Sequence, residues 1–564
     1  MEISGAPAPC VERALVAASA LIEEQGAPLP SFAALQYRAE SDVTRFISIL
    51  HALGYYSAAA KVSYERQEPM GVTIEITPGP VYPIDSVRVE GVESDYRQYP
   101  VATFTPACLG LPIGSAAVSQ RILDAQRCLI ETMVEQGYPL ARVVDRQIVV
   151  DAAEEGVSIT FIIDSGPFCF FGSTDVTGLR CVRRRFVLEC LDWRYGEPYN
   201  RCAITRTIDR LRRANLFTSI NITHDDEAEP GGILGMNIAL RERKHRTITL
   251  GVLYSLDEGA GGLAQWQHRN LTGRGESLTL RALAAQKRQE GEVIYRRPHF
   301  VHCDQDLVLS GSARRVDILP YGERALLLHA RVERRFWSRA WYEYGIKGEQ
   351  LQTFRSDNDG DFTLLSAPMA VWVDTTNDLL NPIRGWRFRL FWEPTASLVE
   401  ERVYFTKQKA TLSFYYPVDR RGWTVVAAYA TLGTILGASD FNIPPPRRFY
   451  SGSDSELRGY RYQSVSPLNP VTWEILGGRS IAVGGVELRQ RIGQSWGFVL
   501  FYDVGNVYET SWPQLNRKQL NSVGFGPRYY TGLGPFSLDI AFPLNRRPGI
   551  DRYFEVYVNV GQTF

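Results

Sequence analysis

The sequence predicts an α+β array of three repeated units, each β-α-α-β-β, followed by an all-β, 16-stranded transmembrane β-barrel. Three observations carry this. A helix, an aromatic breaker and a strand recur at about 80–87 residues through the first 243 positions. From Arg246 onward, stretches of alternating apolar and polar residues, dense in Tyr, Phe and Trp, return about every 20 residues, the signature of membrane strands. No stretch reads as a membrane helix of roughly 20 apolar residues. The uncharged segment 422–439 is rich in β-branched and aromatic residues, contains Gly433 and Gly437, and reads as a strand.

The repeats are legible at their joints. Gly54-Tyr55-Tyr56, Gly137-Tyr138 and Asn215-Leu216-Phe217 each end a helical pattern and open a strand. Gly or Asn at that place can take the left-handed conformation that stops a helix. Ser115 and Asn200 are the expected N-caps of the second and third helices. Each unit opens on a strand ending in Gly (Gly5, Gly91, Gly178), the first of them cut short. Pro78-Gly79-Pro80 and Ser165-Gly166-Pro167 are turn punctuation, so the expected domains are 1–81, 82–167, 168–245 and 246–564.

Lys+Arg and Asp+Glu number 62 each, and a chain with no basic excess is no candidate for nucleic acid. The cysteines Cys10, Cys108, Cys128, Cys169, Cys181, Cys190, Cys202 and Cys303 show no zinc spacing; they are expected to be buried free thiols, the alternative being disulfides formed in an oxidising periplasm, whose connectivity the spacing does not give. The opening MEISGAPAPC has neither the basic nor the apolar stretch of a signal peptide, so an exported precursor is expected to start elsewhere.

Of the sixteen barrel strands expected, the first covers 246–255, the eighth 362–373 and the last 553–564. In the first, Ile248, Leu250, Val252 and Tyr254 share a face; in the last, Val556, Val558, Val560 and Phe564 do. Alternation alone does not say which face is inward. A Pro- and Gly-rich stretch over about 437–478 interrupts the strands and carries Leu457-Arg458-Gly459-Tyr460 near its middle. Structureless loops much beyond ~12–15 residues are usually functional or disordered.

The N-terminal units resemble the POTRA domain, a periplasmic module that binds unfolded or extended chains. The stretch 246–278, the VDTTNDLLNPIRGW turn over 373–386, RFYSG leading to LRGYRYQ over 448–463, FYDVG over 501–505, and the ending over 526–564 resemble the BamA/TamA barrel superfamily. Three units and an Arg-Gly-Tyr tip favour its TamA (translocation and assembly module) branch over BamA, which carries five. Leu457 and Ser453 depart mildly from the family pattern, which more often has Val and Gly there.

The resemblance implies a sixth-loop motif, Arg458-Gly459-Tyr460, folded back into the barrel. Strand parity then makes Asp503 and Glu487 the candidate inward partners of the Arg458 guanidinium, whose planar fork suits carboxylates. It also implies a lateral seam between first and last strands (Ile248, Leu250 and Val252 against Val556, Val558 and Val560) and a C-terminal insertion signal at Phe564. Implied partners are a TamB-like inner-membrane-anchored periplasmic protein, unfolded outer-membrane clients including autotransporters, and the lipid bilayer. No cofactor, metal or catalytic residue is implied, and the implied location is the bacterial outer membrane with the POTRA units in the periplasm. A two-partner secretion pore is the alternative, opposed by the third unit; a passive porin or outer-membrane enzyme is another.

Two patterns invite other chemistry. Gly493-Gln494-Ser495-Trp496-Gly497 matches the esterase elbow, but that motif needs a following helix and here a strand pattern follows. His299, His302 and Cys303 fit zinc spacing poorly.

Overall fold

A computed structural model describes residues 2–23, 32–65, 71–92, 103–255, 259–398, 403–439, 442–532 and 534–564. Met1, Arg66-Gln67 of the first repeat, 256–258 of the barrel opening and 440–441 of the long loop fall outside them. The chain forms two compact units. One holds residues up to Thr177 with 191–209 and 220–240; the other holds 178–190, 210–219 and 241–564.

Three small mixed sheets follow one another along the N-terminal part. The first is built from β1 (Glu2–Ser4), β2 (Ala59–Glu65) and β3 (Gly71–Thr77), with α1 (Pro9–Ala18), α2 (Ala20–Glu23) and α3 (Phe32–Ala52) between β1 and β2. The second has β4 (Ile84–Gly91), α4 (Ser119–Glu135), β5 (Arg142–Asp151) and β6 (Gly156–Asp164). The third has β7 (Phe170–Thr177), α5 (Arg184–Glu189), α6 (Arg201–Arg213), β8 (Phe217–His224) and β9 (Ile233–Glu242). All three have one topology: the last strand is central, parallel to the first and antiparallel to the second (orders β1-β3-β2, β4-β6-β5 and β7-β9-β8). These mixed sheets are consistent with POTRA-like units, but the expected pair of helices is seen only in the third: among the described residues the first unit has three helices and the second one.

The joints behave as the sequence leads one to expect. Gly54, Gly137 and Asn215 have φ of +98°, +98° and +55°, the left-handed stop of a helix. Asn200 caps α6, its Oδ1 accepting from the Cys202 N–H at 2.8 Å. Ser115 does not cap α4: the helix starts at Ser119, after Val118 in extended conformation. Ser115 lies three residues too early, and its N–H and C=O are taken by Pro112 and Ile84. On α4, Ile122, Ala125, Leu129 and Met133 recur at helical spacing and close over Val157, Ile159, Phe161 and Ile163 of β6.

The eight cysteines are all free thiols, but only Cys169 and Cys190 are buried; Cys128 is half-buried and the other five are exposed. Burial pushes the Cys169 thiol up to about 11, which keeps it protonated and unreactive.

The larger unit is dominated by one 17-stranded antiparallel sheet in strict sequence order. Its strands are β10 (Arg246–Ser255), β11 (Gly259–His268), β12 (Ser277–Ala285), β13 (Arg288–Arg297), β14 (Gln305–Asp317), β15 (Gly322–Trp337), β16 (Ala340–Phe354), β17 (Gly360–Ser366) and β18 (Met369–Asp374). They continue with β19 (Gly385–Ser397), β20 (Tyr404–Pro417), β21 (Thr424–Leu436), β22 (Ser480–Ile492), β23 (Trp496–Tyr508), β24 (Leu520–Thr531), β25 (Gly534–Pro543) and β26 (Glu555–Val560). The eighth expected strand is therefore two. β17 and β18 both lie between β16 and β19, broken at Ala367-Pro368, because Pro368 has no N–H to give the ladder. The last strand is also shorter than expected: it ends at Val560, where Gly561 turns the chain at φ +100°.

Burial decides which face of the sheet is inward. Along β22 and β23, Glu487, Phe501 and Asp503 are at most 3% exposed, while Val486, Leu488, Leu500 and Tyr502 are 39–51% exposed. Charged groups thus lie on the covered face and apolar ones on the open face, the arrangement a lipid-facing surface needs. Among the described residues no helix is long and apolar enough to cross a membrane.

One carboxylate, at the end of β9, gathers the segment that follows β7. Glu242 accepts the backbone N–H groups of Arg180, Cys181 and Val182 at 2.7–2.9 Å and lies 3.2 Å from His245 Nε2. Burial pushes its pKa up, but the N–H groups and His245 outweigh that and hold it below the usual carboxylate value. Cys181, Glu242 and His245 could each offer one ligand atom within 4.8 Å of the others. Glu242's oxygens are already filled by those N–H donors.

Candidate functional site

The loop between β21 and β22 is ordered by its own backbone. Short antiparallel bridges pair Phe449 with Gly478, Ser451 with Val465 and Leu468 with Ile475. At its base, Arg448 is buried and holds Asp357 through Nη1 at 2.9 and 2.7 Å, while its Nε donates to Ile443 O. Arg447 contacts Glu349, and Glu456 accepts from Lys409 Nζ at 2.6 Å. The loop is thus fastened to charged groups on the covered face of the sheet.

At the tip, Leu457 has φ +56° and its N–H donates to Tyr429 Oη at 3.0 Å. Arg458 is 1% exposed. Its Nε and Nη2 donate to Asp503 at 2.7 and 2.9 Å, its Nη1 to Glu487 at 2.5 Å, and its backbone N–H to Asp503 at 3.1 Å. The guanidinium lies flat over Phe501, 3.5 Å from the ring centroid. Arg489 completes the cluster with Nε 2.8 Å from Glu487 Oε2. Two guanidinium groups then face two carboxylates. The balance matters because a charge left unpaired in a buried site costs several kcal/mol, about 3–5 when one partner is removed.

Gly459 (φ +89°) follows, its N–H donating to Tyr557 Oη at 3.0 Å. A Cβ there would come within 3.1 Å of Ser522 and 3.3 Å of the Phe542-Pro543 backbone. Tyr460 is buried and donates to Asn521 O at 2.9 Å. The tip therefore hydrogen-bonds to residues of β21, β22, β23, β24 and β26, and Gly459 lies against the Phe542-Pro543 backbone of β25.

The chain end reaches the same cluster. Phe564 is not on a strand. Beyond Gly561, Gln562 N–H donates to Leu380 O at 2.8 Å, and the Phe564 ring packs on Tyr429 with centroids 4.6 Å apart. Arg489 Nη2 donates to Phe564 O at 3.2 Å, so one acid, Glu487, links the loop tip to the last residue through two arginines. The seam residues behave differently. Ile248, Leu250 and Val252 are 72–96% exposed and belong to β10, which pairs with β11; Val556, Val558 and Val560 pair with β25. β10 and β26 are the two ends of the sheet order, and among the described residues no pairing joins them.

Two features escaped the sequence reading. Arg528 and Asp539 form a second fully buried pair at 2.6 Å, with Arg528 Nε donating to Gln562. Gly485 stands opposite Asp503, and a Cβ on it would fall 2.0 Å from the Asp503 carboxylate. Both were present as patterns, Gly484-Gly485 in β22 and an inward Arg facing an inward Asp on adjacent strands. The esterase-like segment is the turn between β22 and β23, with no helix after it. His299 lies 3.7 Å from the buried Cys190 thiol and stacks on Phe186.

A match to the Omp85 superfamily domain covers residues 270–564, more than half of the protein. The chain belongs to the Omp85 superfamily. Outer membrane assembly factor BamA of Nitratidesulfovibrio vulgaris is 21% identical over 532 residues, 91% of this chain; the chain spans 66% of that relative's length. Among solved structures, BamA from Haemophilus ducreyi lacking POTRA domains 1-3 aligns with TM-score 0.69 and 15% identity over 85% of this chain and 100% of that one. CdiB from Acinetobacter baumannii aligns with TM-score 0.48 and 12% identity over 85% of this chain and 89% of that one.

Proposed function

We propose that this Omp85 protein assembles outer-membrane proteins, inserting or secreting β-barrel and autotransporter clients. Its three small sheets, over 1–81, 82–167 and 168–245, would be periplasmic POTRA units, and 246–564 a transmembrane barrel whose first and last strands form a lateral gate. The observation that carries this reading is that β10 and β26 end the sheet and, among the described residues, do not pair with each other. Each offers a row of backbone donors and acceptors to which an incoming strand can add. In the N-terminal part, β5 is an edge strand with Val144 and Val149 more than half exposed, a surface suited to an extended client segment.

In this account Arg458, Asp503 and Glu487 hold the loop against the half of the barrel that ends in β26, and Phe564 seats the chain end in the same cluster. The three-unit count supports the TamA branch of the family, with a TamB-like inner-membrane-anchored protein as the periplasmic partner. The Nitratidesulfovibrio vulgaris relative and the Haemophilus ducreyi structure are both BamA, the latter matched over its full solved length, so the branch is a reading of the repeat count and of the Arg-Gly-Tyr tip. The test is a disulfide between cysteines placed in β10 and β26, in a chain freed of its native cysteines. Oxidation should stop client assembly and reduction restore it. Full activity of the locked protein would exclude the gate.

A further inference from the structure

A cavity of about 460 Å³ lies in the larger unit at the β11–β12 and β15–β16 turn end of the sheet. It is lined by seven arginines and no lysine, against Asp304, Asp306 and Glu333. The acids are already committed. Asp304 pairs with Arg210 and Arg213, Asp306 with Arg296, and Glu333 with Arg296 and Arg331. Among the described residues neither Arg269 nor Arg335 forms a salt bridge: Arg269 Nη1 donates to Lys244 O at 3.4 Å while its buried Nε has no hydrogen-bond partner, and Arg335 Nη1 donates to Ser338 O at 3.3 Å, with Asp304 and Asp306 near enough to attract it. Both line this cavity: Arg269, just beyond the end of β11, is half-buried, and Arg335, in β15, is exposed.

Several guanidinium groups gathered without enough acid repel one another, and a bound anion would relieve that. The choice of arginine narrows the anion: a planar fork with fixed donors matches the oxygens of phosphate in two-point contact, where a lysine supplies only a point charge. The volume lies in the range of a small-molecule site, about 300–1,000 Å³. We propose that this cavity binds a phosphate-bearing anion, with Arg269 and Arg335 as direct ligands and the acid-paired arginines shaping its wall. The group could come from a phospholipid headgroup or from a soluble phosphate, and the two sources separate experimentally. The inference does not rest on the gate, and either can fail alone.

The test uses the full chain in phosphatidylcholine nanodiscs, titrated calorimetrically with inorganic pyrophosphate. We expect saturable one-to-one binding, weakened at least tenfold in Arg269→Gln/Arg335→Gln and less in the charge-preserving Arg269→Lys/Arg335→Lys. Native mass spectrometry from discs containing phosphatidylglycerol supplies the second arm. Retention of that lipid by the wild type and its loss in the Gln variant would assign a headgroup; pyrophosphate binding without lipid retention would assign a soluble ligand. Each single variant is measured too, with heat-modifiable gel mobility as the check of folding. Absence of saturable pyrophosphate binding, or binding unchanged in folded variants, overturns the proposal. So does a glutamate-rich peptide that binds these arginines and is not displaced by pyrophosphate, since the site would then be a polypeptide contact.

Discussion

At the scale of single residues, the loop tip is an electrostatic pin. Arg458 is held by two carboxylates, of which Glu487 also pairs with Arg489. Asp503→Ala leaves a buried guanidinium one partner short, and the cost should approach 3–5 kcal/mol where the site is dry, less where water enters. The expected readout is a lower unfolding temperature and loss of heat-modifiable mobility; Arg458→Lys should lose most of the effect too, because an ammonium cannot hold two acids in one plane. Wild-type melting in both variants would contradict the pin. Gly485→Ala is a sharper probe, since the added methyl would meet Asp503 at 2.0 Å and push the acid away from Arg458. Overpacking of this kind costs roughly 1–3 kcal/mol, and combining it with Asp503→Ala should restore part of the loss. Asp503 and Glu487 could be read from parity once the loop was taken to fold inward. Gly485 could not, because its importance lies in what a missing side chain makes room for.

At the scale of elements, local chemistry was readable wherever it depended on near neighbours. The helix stops at Gly54, Gly137 and Asn215 follow from residues that tolerate positive φ, and alternation placed the strands. What was not readable came from distant partners. The break at Ala367-Pro368 follows from a missing N–H, yet whether a proline ends a strand or only interrupts it depends on the neighbours that continue on both sides. The cap at Ser115 gave way to tertiary hydrogen bonds, and the short β26 depends on what waits beyond Gly561. Five of the eight thiols are exposed because hydrophobic character alone does not specify position. The Glu242 contact yields an element-scale prediction. Its folded pKa lies below the value of about 4.3 for a free Glu. Its stabilising contribution is therefore fully present above that unfolded value and is lost as pH falls through the lower folded one. Amide hydrogen exchange at 180–182 should quicken as pH falls through that lowered pKa, after correction for intrinsic rates, and should be fast at neutral pH in Glu242→Gln. Slow, pH-independent protection in the variant would show that the carboxylate does not hold this segment.

At the scale of the whole molecule, two readings of the sequence stand as fold and family: small mixed sheets followed by a large antiparallel sheet, in an Omp85 protein. Apolar-out and polar-in needed the structure, because period-two alternation is the same in a soluble barrel and a membrane one. The account joins the two ends of the large sheet to the pinned loop. Arg489 ties Phe564 to the acid that also holds Arg458, so releasing the pin should loosen the strand that borders the gate. In Arg458→Ala, a thiol-reactive probe on a cysteine placed at Val558, in a chain freed of native cysteines, should report greater mobility of β26 than in the parent. Unchanged mobility would confine the pin to the loop. The central claim is that clients enter through the unpaired ends of the sheet. It is tested most directly by in-cell photocrosslinking from Leu250 and Val558 positions to a nascent outer-membrane barrel protein. The account predicts client crosslinks from both strands during assembly. Crosslinks that join β10 only to β26, with no client at either strand, would contradict it.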